Sequence, residues 1–196
     1  MSTGLIVTIV VVIVVVILLL AIFFAVRRSR ARRLEQQRER SREEFGSEYD
    51  RTVQEKGSEE EADKELRRRR GSVERNVEPL SDELREHFEG QWGEVERVFV
   101  DNPERSIEMA DRTVSDILQE RRFVTDASQT DEETEKNLAV MHPDVADDYR
   151  EARRMRADVV ARSGGSPADE AGEQSTEDLR LAIQRYRAVY ERIVGR

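Results

Sequence analysis

The stretch that decides the predicted fold is residues 81–100, SDELREHFEGQWGEVERVFV. Its large apolar residues recur at steps of three and four, which places them on one face of an α-helix. Ser81 suits the N-cap position, and the acids after it lie where the helix dipole favours negative charge. The apolar face consists of Leu84, Phe88, Trp92, Val95 and Phe99. This pattern predicts a helix that packs into a core, with Trp92, the only tryptophan, as its main anchor.

Helical patterns continue to the end of the chain, and no stretch of the sequence alternates as a β-strand does. Pro103 and Pro143 stand where the first turn of a helix tolerates proline. Capping-box spacing to an acid three residues later marks helix starts at Asp101, Thr130 and Ser175. Because the connections are short, residues 81–196 are expected to form an antiparallel bundle of about five helices. The predicted fold class is all-α.

Residues 27–80, which precede the bundle, are very polar. They are predicted to form a basic juxtamembrane collar and a polar helical stalk, with a hinge at residues 71–80, where Gly, Asn and Pro occur. Phe45 and Tyr49 do not suit a solvated stalk, because both are aromatic and they lie one helical turn apart. We expect this pair to dock either onto the bundle or onto a partner.

An apolar run from Leu5 to Val26 precedes the collar and contains no charge, with Thr8 as its one polar residue. A helix of this length covers ~33 Å, and the hydrocarbon core of a bilayer is ~30 Å thick. A cleaved signal peptide is the first alternative, but residues 1–4 carry no basic side chain and the run is too long. A buried core helix is the second, but the rest of the chain offers too little apolar surface to enclose it. Residues 1–26 are therefore predicted to be a single transmembrane anchor.

Charge is divided along the chain, which has net charge −9 overall. Residues 27–42 carry eight Arg against two Glu, which gives +6 and leaves −15 for the residues beyond them. Basic residues beside a span stay in the cytoplasm. The expected location is the cytoplasmic membrane, with the N-terminus outside and the bundle in the cytoplasm; the reversed topology, with the bundle outside, stays open.

The basic collar has two interpretations of equal weight. It acts only as a topology signal, or it also binds anionic lipid headgroups, at ~1 kcal/mol per basic residue. In the second interpretation the lipid contacts are Arg27, Arg28, Arg30, Arg32 and Arg33. The acidic body argues against nucleic acid as a partner, because phosphate binding needs clustered Lys and Arg.

The sequence shows no constellation that would carry catalysis. It has no Cys and only two His, and it lacks metal-ligand, phosphate-loop and nucleophile-elbow motifs. His87 is expected at the surface, and His142 is expected to cap a helix. We therefore expect no enzyme activity, no metal and no cofactor. The candidate partner contacts are Phe45, Tyr49, Tyr149, Arg150, Tyr186 and Arg187. The two Tyr-Arg pairs also suit the amphipathic edges of helices, and this is the favoured interpretation of them.

An ordered series of short motifs carries a resemblance to a known family. The motifs are FGSEYDRTV at 45–53, PLS at 79–81, FVD at 99–101, HP at 142–143, YR at 149–150, STEDLR at 175–180 and YR at 186–187. The series resembles a family of bacterial proteins, frequent in actinobacteria, to which no activity is assigned. The resemblance implies a bacterial, single-pass, membrane-anchored helical protein. The chain departs from the family at Val77-Glu78, where an apolar residue and Arg often precede PLS.

The function that these features favour is a membrane-anchored helical interaction or scaffold protein, which binds a protein partner or self-associates. An anionic-lipid sensor that works through the Arg collar is one alternative. A membrane-bound hydrolase that uses carboxylates is the other.

Overall fold

The computed structural model describes residue 23 and residues 35–124, 130–163 and 172–195. In these residues every regular element is a helix and no strand occurs, so the all-α class is confirmed for them. The predicted anchor, Leu5 to Val26, lies outside the described residues except for Phe23. Among the helices described, none combines the length and the apolarity that a bilayer crossing requires.

The chain divides into two units, residues 1–44 and residues 45–196. Within the described part of the first unit, residues 35–44 are helical. The second unit contains seven helices, which we number from its start. They are α1 (Ser47–Lys56), α2 (Glu59–Asn76), α3 (Asp82–Asp101), α4 (Pro103–Glu120), α5 (Asp131–Met141), α6 (Pro143–Ser163) and α7 (Gly172–Val194).

The helix α4 lies at the centre of the second unit. It packs against α3, α6 and α7, and α6 and α7 pack against each other. From there α5 packs on α6, α2 packs on α5, and α1 contacts α2, α5 and α6. The five helices predicted between residues 81 and 196 are confirmed, and Trp92 lies in the core as expected.

The second unit begins at Phe45 and not at Ser81, where the sequence analysis begins the bundle. The helix α2 also runs on through Gly71 to Asn76, inside the predicted hinge. The reason for both differences is that α2 packs through a narrow apolar stripe. Most residues of α2 are charged or polar, so this stripe is hard to recognise in the sequence. Its members, Ala62, Leu66 and Val73, are all buried.

Local signals explain where most helices begin. The hydroxyl oxygens of Ser81 and Thr130 accept hydrogen bonds from the backbone N–H groups of Leu84 and Glu133, as the caps predicted there require. The N-cap of α4 is Asn102 and not Asp101. Ser175 lies inside α7, which begins three residues earlier at Gly172.

Candidate binding groove

Four of the six candidate partner contacts are aromatic residues that lie in the core. Phe45, Tyr49, Tyr149 and Tyr186 are almost completely buried. Tyr149 and Tyr186 meet edge to face with their ring centroids 6.5 Å apart. Phe45 and Tyr49 therefore dock onto the bundle, which is one of the two arrangements expected for them. None of the four presents a surface to a partner in this structure.

Arg150, the fifth candidate, forms a buried ion pair across two helices. It pairs with Glu48 of α1, whose side chain is only 3% exposed, while that of Arg150 is 13% exposed. Its Nη1 also donates to Asp147 over 2.8 Å. Burial raises the pKa of Glu48, and the charge of Arg150 opposes that rise. Arg150 thus serves to hold α1 on α6.

Further along α6, Arg153 and its acids extend this charged layer. Arg153 pairs with Asp131 and, over 3.2 Å, with Glu135. Its Nε lies 3.6 Å from Asp111, which accepts a hydrogen bond of 2.9 Å from the Tyr186 hydroxyl. We call this layer the α6 network; its members are Glu48, Asp111, Asp131, Glu135, Arg150, Arg153 and Tyr186. Each of its acids faces an arginine or a tyrosine, so the network stabilises helix packing.

Arg187, the sixth candidate, lies at a different place, beside a groove between α3 and α7. The floor of the groove is formed by Trp92 and Tyr190, whose rings stack at 14° with centroids 4.4 Å apart. The groove holds a volume of about 220 Å³. Its lining consists of Glu89, Trp92, Gly93, Glu96, Arg187, Tyr190, Glu191 and Val194. We call it the α3/α7 groove.

The rim of the α3/α7 groove carries three acids and one base, net −2. The Trp92 indole donates to Oε1 of Glu96 over 3.1 Å, and Nη1 of Arg187 lies 3.2 Å from the same oxygen. The Nε of Arg187 donates to Glu191 over 3.0 Å. The hydrogen bond to Glu191, and then the charge of Glu96, raise the pKa of the Arg187 guanidinium. Arg187 therefore spans the groove from α7 to α3.

Two glycines in the middle of α3 set the shape of this surface. Gly93 lines the groove, and Gly90 lies nearly one turn before it. Among the described residues, a Cβ atom at either position would meet nothing within 4 Å, so packing against them does not require glycine at either position. Glycine inside a helix costs about 1 kcal/mol relative to alanine. Gly93 presents no side chain to the groove that it lines.

The two histidines lie elsewhere. The ring of His87 contacts Gln91 and lies edge-on to Phe88. His142 contributes to the α5–α6 junction through its backbone, since its N–H donates to Leu138 and its carbonyl accepts from Val145. Both of its ring nitrogens are buried, and neither has a hydrogen-bond partner in the part of the chain that the structure describes. Burial, with the charges of Arg192 and Arg121, lowers the pKa of His142 to about 4.

Two further predictions from the sequence concern lipid contacts and metal sites. The five arginines expected to contact lipid headgroups, Arg27 to Arg33, lie outside the described residues. Within the residues that are described, no group of three or more His, Asp or Glu side chains could hold a metal ion. The groove is not among the sites predicted from the sequence; the signal that indicates it is the pair of glycines, Gly90 and Gly93, on either side of Trp92.

Comparisons of this chain with protein-family models, with curated proteins and with solved structures find no match.

Proposed function

We propose that this protein is a membrane-anchored helical interaction protein that binds a protein partner through the α3/α7 groove. The observation that carries the proposal is the groove itself. It combines an aromatic floor, a charged rim and a mid-helix glycine in its lining, which costs about 1 kcal/mol relative to alanine. A residue that lowers stability and has no packing reason points to a role outside the fold.

The chemistry of the described residues also favours binding. Tyr and Trp are the residues that most often dominate protein interfaces, and here the exposed edges of two core residues, Trp92 (5% exposed) and Tyr190 (8% exposed), line one groove. The acids of the α6 network are occupied by arginines, so they do not form a cleft with free carboxylates. The apolar run Leu5–Val26 supplies the anchor in this proposal.

A single introduced cysteine tests the proposal, because the natural chain has none. We would replace the exposed rim residue Glu89 by Cys, attach a thiol-directed photo-crosslinker and irradiate the membranes. Arg154→Cys on α6, where the side chain is 71% exposed, is the control. The proposal expects a discrete adduct from position 89 only. No adduct, or the same adducts from both positions, would contradict it.

We further propose that the bundle faces the cytoplasm, on the strength of the arginines that follow the apolar run. Protease accessibility of a C-terminal tag in spheroplasts tests the topology. Protection of the tag is expected. Digestion would place the bundle outside and direct the search for partners to the envelope.

A further inference from the structure

We propose that the outer face of α2 is a second interaction surface, and that it binds the anionic phospholipids of the membrane in which the chain is anchored. The inference rests on the membrane anchor of the proposed function, and it is independent of the α3/α7 groove. We call this surface the α2 basic face; its members are Lys64, Arg67, Arg68 and Arg75.

Helical spacing places the members of the α2 basic face on one side of the helix. Together with Gly71 they recur at steps of three and four. All four basic residues are exposed. The intervening Arg69 and Arg70 serve the fold instead. Arg69 pairs with Glu133 of α5 over 2.7 Å, and the Arg70 guanidinium lies over the ring of Phe45.

Two members of the face have no counter-charge in the part of the chain that the structure describes. Lys64 and Arg75 form no ion pair with any residue there. The guanidinium of Arg75 lies back along the helix, so that its Nη1 would be 3.6 Å from a Cβ atom at Gly71. Both cations are therefore available to an external anion, and Arg75 lies towards the middle of the face.

The other two members are paired, but their acids are less exposed than they are. The side chains of Arg67 and Arg68 are 50% and 65% exposed. Those of their partners, Asp63 and Glu65, are 33% and 22% exposed. A surface that approaches α2 from outside therefore meets the guanidinium groups first, although most of the attraction must come from the two unpaired cations.

Shape and charge favour a membrane over a soluble polyanion. The α2 basic face spans ~17 Å along a helix, and no apolar side chain lies among its members, so it suits a plane of headgroups and not insertion. The residues beyond the collar carry a net charge of −15, which repels freely diffusing nucleic acid and acidic proteins. A tethered chain does not depend on long-range attraction, because the anchor makes docking an intramolecular step.

A fluorophore in the middle of the face tests the inference, because the natural chain has no cysteine. We would label Gly71→Cys with a donor dye and reconstitute the full chain in vesicles that carry an acceptor on lipid headgroups. The vesicles contain phosphatidylcholine alone or an equal mixture with phosphatidylglycerol. We expect higher energy transfer in the anionic vesicles, and its loss in about 1 M salt, where the screening length is ~3 Å. The increase should be smaller from Arg154→Cys on α6, the control position.

Charge variants separate the face from general basicity. Lys64→Gln and Arg75→Gln should each lower the equilibrium constant for docking on anionic vesicles about fivefold. Arg97→Gln and Arg105→Gln remove the same charge from exposed positions on α3 and α4, and should leave docking unchanged.

Three results would overturn the inference. Equal transfer from position 71 in neutral and anionic vesicles would show that the face does not bind anionic lipid. Equal losses in all four charge variants would show nonspecific attraction. Tighter binding of a polyglutamate peptide or a DNA oligonucleotide than of the anionic vesicles, with losses in the same two variants, would assign the face to a soluble polyanion.

Flotation of the chain with neutral vesicles in about 1 M salt reports the anchor alone, because electrostatic attraction is then screened. A chain that does not float would remove the anchor from the proposed function, and this inference with it. A chain that floats without docking would remove this inference alone, so the two failures are distinguishable.

Discussion

Two helix–helix seams of this protein use the same residue types in opposite ways. In the α6 network, tyrosine and arginine side chains meet acids that are mostly buried, although Asp131 at its edge is 79% exposed, and Glu48 and Arg150 are largely withdrawn from water. In the α3/α7 groove, Trp92 and Tyr190 stack below an opening, and the charged rim is about half exposed. We call the α6 network the closed seam, because water is largely excluded from it, and the α3/α7 groove the open seam.

The difference between the seams indicates what each is for. Buried charges are costly to separate, so the α6 network fixes how α1, α4, α5, α6 and α7 pack. Half-exposed charges exchange partners cheaply, so the groove can change occupants. Changes in the closed seam should therefore alter stability, whereas changes in the open seam should alter binding.

The largest effect is expected from the closed seam. Arg150→Met leaves the buried Glu48 carboxylate with only the half-exposed Arg51, 3.9 Å away, as a cationic partner, which should lower the free energy of unfolding by about 3 kcal/mol. Urea unfolding followed by circular dichroism measures this loss. The control is Arg154→Met, whose exposed pair with Glu151 should contribute less than about 0.5 kcal/mol. Adding Glu48→Leu to the Arg150→Met variant should restore most of the lost stability. If Arg150→Met and Arg154→Met instead have equally small effects, the closed seam does not contribute more to stability than an exposed ion pair.

A pH dependence should come from His142, which is also withdrawn from water. Its pKa is about 4 in the folded chain and 6.5 in the reference state. Between these values the unfolded chain binds the additional proton, so stability present above pH 6.5 is lost as the pH falls towards 4. The slope should approach ~1.4 kcal/mol per pH unit.

The pH-dependence prediction is checked by unfolding curves across that window. His142→Gln should flatten the slope, and His87→Gln serves as the control for losing an imidazole. If the free energy of unfolding of the His142→Gln variant changes with pH as steeply as that of the original chain, groups other than His142 cause the pH dependence.

A smaller effect is expected when one hydrogen bond of the closed seam is removed. Tyr186→Phe deletes the hydroxyl that donates to Asp111, at a cost of about 1 kcal/mol. A double-mutant cycle with Asp111→Asn isolates the coupling between the two side chains. Strictly additive effects would show that the 2.9 Å contact contributes nothing to stability.

The smallest effect on stability, and one of opposite sign, is expected at the open seam. Gly90→Ala and Gly93→Ala should each stabilise the protein by about 1 kcal/mol, because neither new methyl group meets a neighbour. Thermal unfolding of the two variants measures the gain. A loss of stability at Gly93 would mean that the fold itself requires the glycine, and the argument for the groove would fail.

The closed and open seams also differ in how far the sequence predicts them. Helical periodicity and capping residues identify α3 to α7, because those signals are local. The pairing of Glu48 with Arg150 joins residues 102 positions apart, and no local pattern specifies it. Phe45 and Tyr49 are recognisable as unusual, but the surface that buries them is known only from the packing of α1 on α5 and α6. The groove requires the relative placement of α3 and α7, which periodicity does not give.

The most direct test of the groove as the partner site combines the crosslink at position 89 with leucine at each glycine of α3. Leucine at Gly93 adds a side chain to the groove lining, whereas leucine at Gly90 lies outside the groove lining, and both favour the helix. The account predicts that Gly93→Leu abolishes the adduct and that Gly90→Leu retains it. An adduct of unchanged yield in the Gly93→Leu variant would contradict the assignment of the α3/α7 groove as the binding site.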